Sequence, residues 1–155
     1  MAVQKNINIQ NKKARFEFEI LDKFVAGIQL TGTEIKSIRL SQARITESFC
    51  EFNDRGELFI VNMYIQEYMF GHHFNHKPKS ERRLLLNKRE LRSLKKDVEA
   101  KGNTIVPLRL FINDNGFAKL EIALAKGKQT HDKREVIKER DSKRDLARIK
   151  KNFNT

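Results

Sequence analysis

Alternation of apolar and polar residues early in the chain predicts two β-strands. Residues 15–20 read RFEFEI, and residues 26–31 read AGIQLT. Because successive side chains of a strand point to opposite faces, each stretch has one face that can be buried. We expect a bend at residues 21–23, between the two strands. The apolar side chains that we expect in the core from these strands are Phe16, Phe18, Ile28 and Leu30.

Two further pairs of strand-like runs each flank a turn signal. Residues 46–53 and 57–66 lie on either side of Asp54-Arg55-Gly56, and residues 104–112 and 117–125 lie on either side of Asp114-Asn115-Gly116. Such Asp- and Gly-containing turns favour hairpins between alternating runs. Pro107 cannot donate a backbone hydrogen bond, which predicts that its strand is at a sheet edge or bulged there.

Capping residues and helical periodicity predict two helices. Residues 34–40 form a short helix that Thr33 can cap. Asn87 can cap a longer helix, with Glu90 three residues on and Gly102 at its end. The residues of this helix and of the last hairpin that we expect in the core are Leu91, Leu94, Val98, Leu108 and Leu120.

Many short strands with a helix between hairpins are typical of a small closed barrel. We therefore predict a mainly β fold: an OB-like small antiparallel β-barrel with two to three helices, covering residues 11–125. A flexible N-terminus, residues 1–10, would precede it, and a basic tail, residues 126–155, would follow it. The strand count is six. No internal repeat or low-complexity segment is evident.

The tail carries eleven Lys or Arg residues against five Asp or Glu. Asp132 can cap a helix with Glu135 three residues on, but the apolar residues do not make a continuous stripe. Such a helix buries too little surface to offset its ordering entropy. We predict that the tail is disordered when free and helical along a polyanion. The alternative is a solvated helix packed on the domain.

Charge and composition narrow the class of partner. The net charge is +12 over 155 residues and the isoelectric point is about 10.0, which favours an anionic partner, nucleic acid more than membrane. No stretch approaches the roughly 18 apolar residues that span a bilayer. The first residues lack the apolar region of a secretory signal, and Cys50 is the single cysteine. We expect a cytoplasmic monomer without a disulfide framework.

Residues 67–81 form a loop that is long for a compact domain, which favours a functional role. It contains His72, His73 and His76. Adjacent histidines are poor geometry for one metal ion, and no cysteine or carboxylate stands close in sequence, so RNA contact or plain solvation is the better interpretation. No catalytic motif is present. We expect neither an enzyme nor a metal or other cofactor.

Basic residues of the predicted barrel are candidate phosphate contacts. Arg82 and Arg83 stand at the end of the long loop, and other cations are scattered over apolar-patterned elements. Together with Phe and Tyr on a small barrel they suit a surface that holds RNA by charge, shape and stacking. The scattered cations are Lys12, Lys13, Lys36, Arg39 and Lys119.

A set of short motifs stands in order along the chain: NKKA from Asn11, AGI from Ala26, GTEIKSIR from Gly32, NH at Asn75, RRLLL from Arg82, VPL from Val106, GK at Gly127 and HDKR from His131. This ordered set resembles a known family, small protein B, the SsrA-binding proteins of bacterial trans-translation. The resemblance runs from about Asn11 to Asn152.

This resemblance implies an OB-like barrel that binds the tRNA-like domain of transfer-messenger RNA and enters stalled ribosomes, where the tail occupies the vacant messenger channel. It implies that Asn11, Lys12, Leu85 and Lys119 lie on the RNA side. It assigns His131, Asp132, Lys133, Arg134 and Ile149 to ribosome contact. The chain departs from the family pattern at Val25, Phe16, Ser80 and Lys150. A structural ribosomal or ribosome-assembly protein is the alternative function.

Two sets of site residues follow. The predicted RNA-binding residues are Asn11, Lys12, Lys13, Lys36, Arg39, His76, Arg82, Arg83, Leu85 and Lys119. The predicted ribosome-binding residues of the tail are Lys126, Lys128, His131, Asp132, Lys133, Arg134, Lys138, Arg140, Arg144, Arg148, Ile149 and Lys150.

Overall fold

A long antiparallel hairpin near the end of the described chain is the largest element of the computed structural model, which describes residues 6–100 and 102–127. These residues form nine strands, three α-helices and one 3-10 turn at His72–Phe74. The strands are β1 Asn8–Gln10, β2 Phe18–Ile28, β3 Ala43–Arg44, β4 Phe49–Phe52, β5 Leu58–Val61, β6 Tyr64–Ile65, β7 Arg82–Leu85, β8 Asn103–Ile112 and β9 Ala118–Gly127. The helices are α1 Lys12–Glu17, α2 Gly32–Arg39 and α3 Lys88–Glu99.

Six strands close into an antiparallel ring in the order β8-β4-β5-β7-β2-β9, with β9 returning to β8. The ring is irregular because three of its junctions are short: β4 meets β8 at Cys50 and Ile105, and β7 meets β2 and β5 over two residue pairs each. Strand β1 extends the sheet beyond β8, and β3 pairs with β6 separately. The predicted mainly β, OB-like architecture is thus confirmed, although the ring is not a regular barrel.

The core has two parts, and their positions decide which outer surface stays open. The larger cluster fills the ring and includes Leu84, Leu110, Leu120 and Leu94 of α3. A smaller cluster lies outside the ring, where Ala14 of α1 packs on small and branched residues of β8 and β9. Helix α1 therefore covers one end of the outer face of these strands, and the other end is left to solvent.

Both predicted helices are confirmed, with one change of cap. Asn87 caps α3, and Glu90 completes the capping box. Helix α2 begins earlier than predicted: Thr31, not Thr33, accepts the hydrogen bond from the Glu34 backbone N–H. The Glu34 carboxylate accepts in turn from the Thr31 N–H at 2.8 Å. A reciprocal cap satisfies two amide donors, which favours the earlier start.

The strand predicted at residues 15–20 is wrong in its first half. The Asn11 side chain accepts from the Ala14 N–H at 3.2 Å and caps α1, so the alternating residues up to Glu17 are helical. Phe16 is 42% exposed instead of buried. The predicted break between two strands at residues 21–23 is also wrong, because β2 continues through them, with only a register shift between Ile20 and Asp22.

The remaining strand predictions are largely confirmed. The first predicted hairpin contains β4 and β5, both shorter than expected, and the second is β8 with β9. The register shifts between Pro107 and Arg109, as the missing amide donor predicts. Asn8–Gln10 form β1, although we predicted a flexible N-terminus there. Strand β9 continues to Gly127, beyond the predicted domain boundary at Ala125.

Candidate nucleic-acid interface

A single row of paired residues crosses four strands on the outside of the ring. Leu85 pairs with Gly27, Gly27 with Lys119, and Lys119 with Phe111. Their chain neighbours Leu84, Ala26, Leu120 and Leu110 are all buried, so the row itself faces outward. With Val25, Glu121 and Arg109, which pair with one another on the same strands, it forms a surface that we call the open face.

The open face is partly apolar at its centre. Val25 is 52% and Leu85 is 49% exposed. Gly27 lies between them, and a Cβ added there would stand 3.3 Å from Leu85 Cβ, so glycine leaves room for the leucine side chain. Exposed apolar groups on a pleated sheet can contact sugar and base surfaces of RNA.

Cations and an aromatic ring lie beside this apolar centre. The Arg109 guanidinium stands 4.2 Å from the Phe111 ring centroid and pairs with Glu121 at 3.3 Å. Among the described residues, no carboxylate forms an ion pair with Lys119. Its ammonium is therefore available to a phosphate, and the guanidinium on the ring offers a stacking platform.

One of two grooves with basic lining adjoins the open face. This groove has a volume of about 180 Å³, and the other, of about 450 Å³, lies elsewhere. The smaller groove lies between α1 and β8. Lys12, Arg15 and Arg109 line it together with Gln10, Asn11 and Leu108. Three cations along one groove suit a phosphate backbone. Lys12 thus meets the open face through Arg109, which belongs to both surfaces.

Arg82 does not occupy the surface position that we predicted for a phosphate contact. Its side chain is 2% exposed and forms an ion pair with Glu34, which is 5% exposed. The guanidinium also donates to the carbonyl of Met63 at 2.7 Å and to the carbonyls of Lys77 and Pro78 at 3.2 and 3.0 Å. With its donors satisfied inside the protein, Arg82 holds the fold together and has no group to offer RNA.

His76 and Asn11 are also buried, at 9% and 3% exposure. The His76 ring nitrogens lie 3.0 Å from Thr33 Oγ1 and 2.9 Å from the Ile65 carbonyl oxygen. Asn11, besides capping α1, donates to the Pro107 carbonyl at 3.0 Å. Both side chains position backbone, so a direct RNA contact by either one does not fit its surroundings. Asn11 instead fixes the start of the helix that carries Lys12.

The other predicted cations are on the surface but not together. Lys13 donates to Glu47 at 3.0 Å and lies 3.7 Å from Glu17, and these carboxylates, Glu47 foremost, raise the pKa of Lys13. Lys36 stands 5.4 Å from the Tyr68 ring centroid. Arg39 donates to the Gly116 carbonyl at 3.5 Å.

Arg83 neighbours Leu85 on the outside of β7 and pairs with Glu57 at 3.0 Å. A hydrogen bond from Asn53, and next the charge of Arg83, lower the pKa of Glu57. Of the ten predicted RNA-binding residues, Leu85, Lys119 and Arg83 thus share the outer side of the sheet, and Lys12 borders it.

Sequence reasoning did not include several residues of this interface among the site residues, notably Val25, Glu121, Arg15, Gly27, Arg109 and Phe111. The signal for Arg109 and Phe111 was available, since these two residues flank buried Leu110 in a predicted strand. Arg15 could not be found, because the predicted strand at residues 15–20 placed it on a different element.

The predicted tail falls almost entirely outside the described residues. Lys126 is exposed in β9, where it pairs with Glu19 of β2 and Asn103 of β8. The predicted residues that lie outside the described part of the chain are Lys128, His131, Asp132, Lys133, Arg134, Lys138, Arg140, Arg144, Arg148, Ile149 and Lys150.

Residues 6–100 and 102–127 contain no cluster of three His, Cys, Asp or Glu side chains that could hold a metal ion. Cys50 is buried, and burial raises the pKa of its thiol, which keeps it neutral and a poor nucleophile. Within the same residues, no helix has the length and apolar character needed to cross a membrane.

Comparison with known proteins connects this chain to a family. The family model described as SmpB protein matches residues 8–152. The SsrA-binding protein of Flavobacterium psychrophilum is 67% identical over 96% of this chain and 99% of its own length. That of Flavobacterium johnsoniae is 65% identical over 97% of this chain and 99% of its own.

More distant relatives agree. The SsrA-binding protein of Bacteroides thetaiotaomicron is 53% identical over 94% of this chain and 97% of its own. A chain of the solved structure described as "tmRNA-SmpB: a journey to the center of the bacterial ribosome" is 43% identical, with a TM-score of 0.68, and the match covers 84% of this chain and 94% of that one. The resemblance in the motifs is therefore confirmed, and the chain belongs to the SmpB protein family.

Proposed function

We propose that this protein is a non-enzymatic RNA-binding adaptor of ribosome rescue, which binds the tRNA-like domain of transfer-messenger RNA and delivers it to stalled ribosomes for trans-translation. The observation that carries the proposal is the near full-length match to SsrA-binding proteins, together with a solved neighbour described with tmRNA and the bacterial ribosome. Transfer-messenger RNA and the ribosome are then its partners, and the cytoplasm is its compartment.

The open face is our proposed binding surface for the tRNA-like domain. Lys119 and Arg109 would contact phosphates, and Lys12 would extend this contact along the groove beside α1. Leu85 and Val25 would pack on sugars or base faces. Folded RNA is recognised mainly by shape, 2′-hydroxyls and phosphates, and a rigid sheet with mixed apolar and cationic groups suits that task.

The basic tail would provide the second contact, with the ribosome. Beyond Gly127 the chain carries ten basic and five acidic residues. Such a segment can neutralise ribosomal RNA phosphates and release counterions, which offsets the entropy lost on ordering. The sheet would therefore bind transfer-messenger RNA specifically, and the tail would bind in the vacant messenger channel.

Two other functions make different predictions. A structural ribosomal or ribosome-assembly protein would co-sediment stoichiometrically with bulk ribosomes. An RNA-processing enzyme would turn over labelled RNA when incubated alone.

Replacing Lys119 with Glu should weaken binding to the tRNA-like domain. A hydrogen bond to a charged group contributes about 1.5–3 kcal/mol, so the affinity should fall by roughly tenfold or more. One fewer phosphate contact should also reduce the slope of log affinity against log salt by about one. Filter binding of the labelled domain at several salt concentrations measures both quantities.

Lys96→Glu is the matched control, because it makes the same charge change at an exposed position of α3. We expect it to retain the slope and to lose affinity only slightly. Equal effects of Lys119→Glu and Lys96→Glu on affinity and slope would mean that net charge alone drives binding, and the open face would not be the RNA site.

A further inference from the structure

The long loop between β6 and β7 presents large apolar side chains to solvent. Met69 is 62%, Phe70 is 57% and Phe74 is 91% exposed. Single exposed apolar residues are ordinary on protein surfaces, but several within six positions mark a contact surface. We call residues 68–76 the aromatic loop. The open face lies on other elements, so the role proposed above does not account for this loop.

Hydrogen bonds between Asn75 and Tyr68 close the aromatic loop at its base. Asn75 accepts from the Tyr68 backbone N–H at 3.0 Å and donates to the Tyr68 carbonyl at 2.7 Å. A Cβ at position 71 would stand 2.6 Å from Asn75 Nδ2, so Gly71 is needed for this closure. His72 has a φ of 49°, a left-handed conformation that is uncommon for a residue other than glycine.

Buried polar groups fix the end of the loop to the rest of the fold. His76 bridges Thr33 of α2 and the Ile65 carbonyl of β6. Just beyond it, Arg82 holds the carbonyls of Lys77 and Pro78. The exposed rings are therefore carried on an ordered base, and a surface that is ordered before binding loses less entropy when a partner arrives.

The surroundings of the rings point to one kind of partner. Tyr68 and Phe70 pack edge to face with centroids 5.6 Å apart, and the Lys36 ammonium stands 5.4 Å from the Tyr68 centroid. The long loop, residues 67–81, also contains other cations or potential cations, namely His72, His73, Lys77 and Lys79. Its acidic residues are Glu67 and Glu81. Exposed rings interspersed with cations suit bases attached to phosphates better than an apolar protein surface.

We propose that the aromatic loop is a second RNA-contact surface, which stacks unpaired nucleobases on Phe70 and Phe74 while neighbouring cations hold the phosphates. Every base has a face that can stack, so this contact needs no particular sequence. It requires bases that are splayed out of a helix, as in single-stranded loops. This surface would act beside the open face and independently of it.

A tryptophan probe can test the loop directly, because the chain contains no tryptophan. In Phe74→Trp, addition of an eight-nucleotide oligoadenylate should quench the fluorescence in a saturable manner as adenines stack on the indole. The same titration with inorganic polyphosphate, which has charges but no bases, should quench little. Adding Lys119→Glu to this variant should leave the quenching in place, because the open face is not involved.

Two conservative variants separate stacking from apolar packing. Phe74→Tyr keeps an aromatic ring and should bind fluorescein-labelled oligoadenylate as the unmodified chain does. Phe74→Leu keeps the apolar character without the ring and should bind roughly tenfold more weakly. Absence of quenching, equal quenching by polyphosphate, or full binding by Phe74→Leu would each overturn the proposal. The last result would indicate a surface for apolar protein contact instead.

Discussion

Truncation after Gly127 should abolish peptide tagging on stalled ribosomes and leave binding of transfer-messenger RNA largely intact. The cut removes residues 128–155, with ten basic and five acidic side chains, and spares every described strand. The place of the cut matters. Lys126 and Gly127 pair with Glu19 and Phe18 of β2, so a cut after Ala125 would also remove strand pairing from the ring. Loss of folding could then not be distinguished from loss of the tail.

The expected result follows from the proposed division between sheet and tail. Loss of basic residues should lower RNA affinity modestly through long-range charge, but the open face and the groove beside α1 remain. Tagging should fail because nothing would occupy the empty messenger channel. The measurement is a pair of assays on one truncated protein: affinity for the tRNA-like domain, and tagging on messages that lack a stop codon.

A milder variant tests the same division without shortening the chain. His131→Ala with Arg134→Ala removes a possible stacking group and a possible bidentate phosphate contact at the predicted start of the tail helix. We expect reduced tagging with unchanged RNA affinity. Normal tagging by the truncated protein would refute the role of the tail, and complete loss of RNA binding would place the tail in the primary RNA site.

Replacing Arg82 with Ala should lower the free energy of unfolding by about 3–5 kcal/mol, the usual effect of breaking a buried ion pair. Glu34 would keep its charge in a site where it is 5% exposed. Three carbonyls, those of Met63, Lys77 and Pro78, would also lose a hydrogen-bond donor. Urea denaturation followed by circular dichroism gives the change.

The matched control is the neighbouring residue on the same strand. Arg83→Ala removes an arginine that is 43% exposed and pairs with Glu57 at the surface. Solvent screens such pairs, so stability should change little. If the two alanine variants lost similar stability, the buried ion pair would not be a main support of the fold. Failure of Arg82→Ala to fold at all would agree with the expected direction, and Arg82→Lys would then show the size of the effect.

Most elements of this fold could be predicted from the sequence, because the residues that specify them interact with residues close to them in the chain. Asn87 with Glu90, and the two Gly-containing turns, specify their conformations through contacts a few residues apart. The alternation at residues 15–20 failed because Asn11, which precedes it, caps a helix that also buries Ala14 on β8 and β9. That packing is long-range and leaves no trace in the alternation itself.

The candidate site was predictable only where strand alternation determines exposure. Leu85 lies outside and Leu84 inside because they are adjacent in a strand. The same rule separates Arg83 from Arg82, but charge suggested that both arginines were at the surface. Only the fold shows that the inner arginine, Arg82, forms an ion pair with Glu34, 48 residues away. Likewise, Arg109 and Lys12 line one groove only because α1 lies against β8.

The most direct test of the proposed function is to capture the full chain from cells under native conditions and sequence the RNA that comes with it. We predict strong enrichment of one tRNA-like RNA, transfer-messenger RNA, over ribosomal RNA and ordinary tRNA, and loss of this enrichment in Lys119→Glu combined with Leu85→Ala. Capture of ribosomal RNA in stoichiometric amounts, with no enrichment of transfer-messenger RNA, would contradict the adaptor function and favour a structural component of the ribosome.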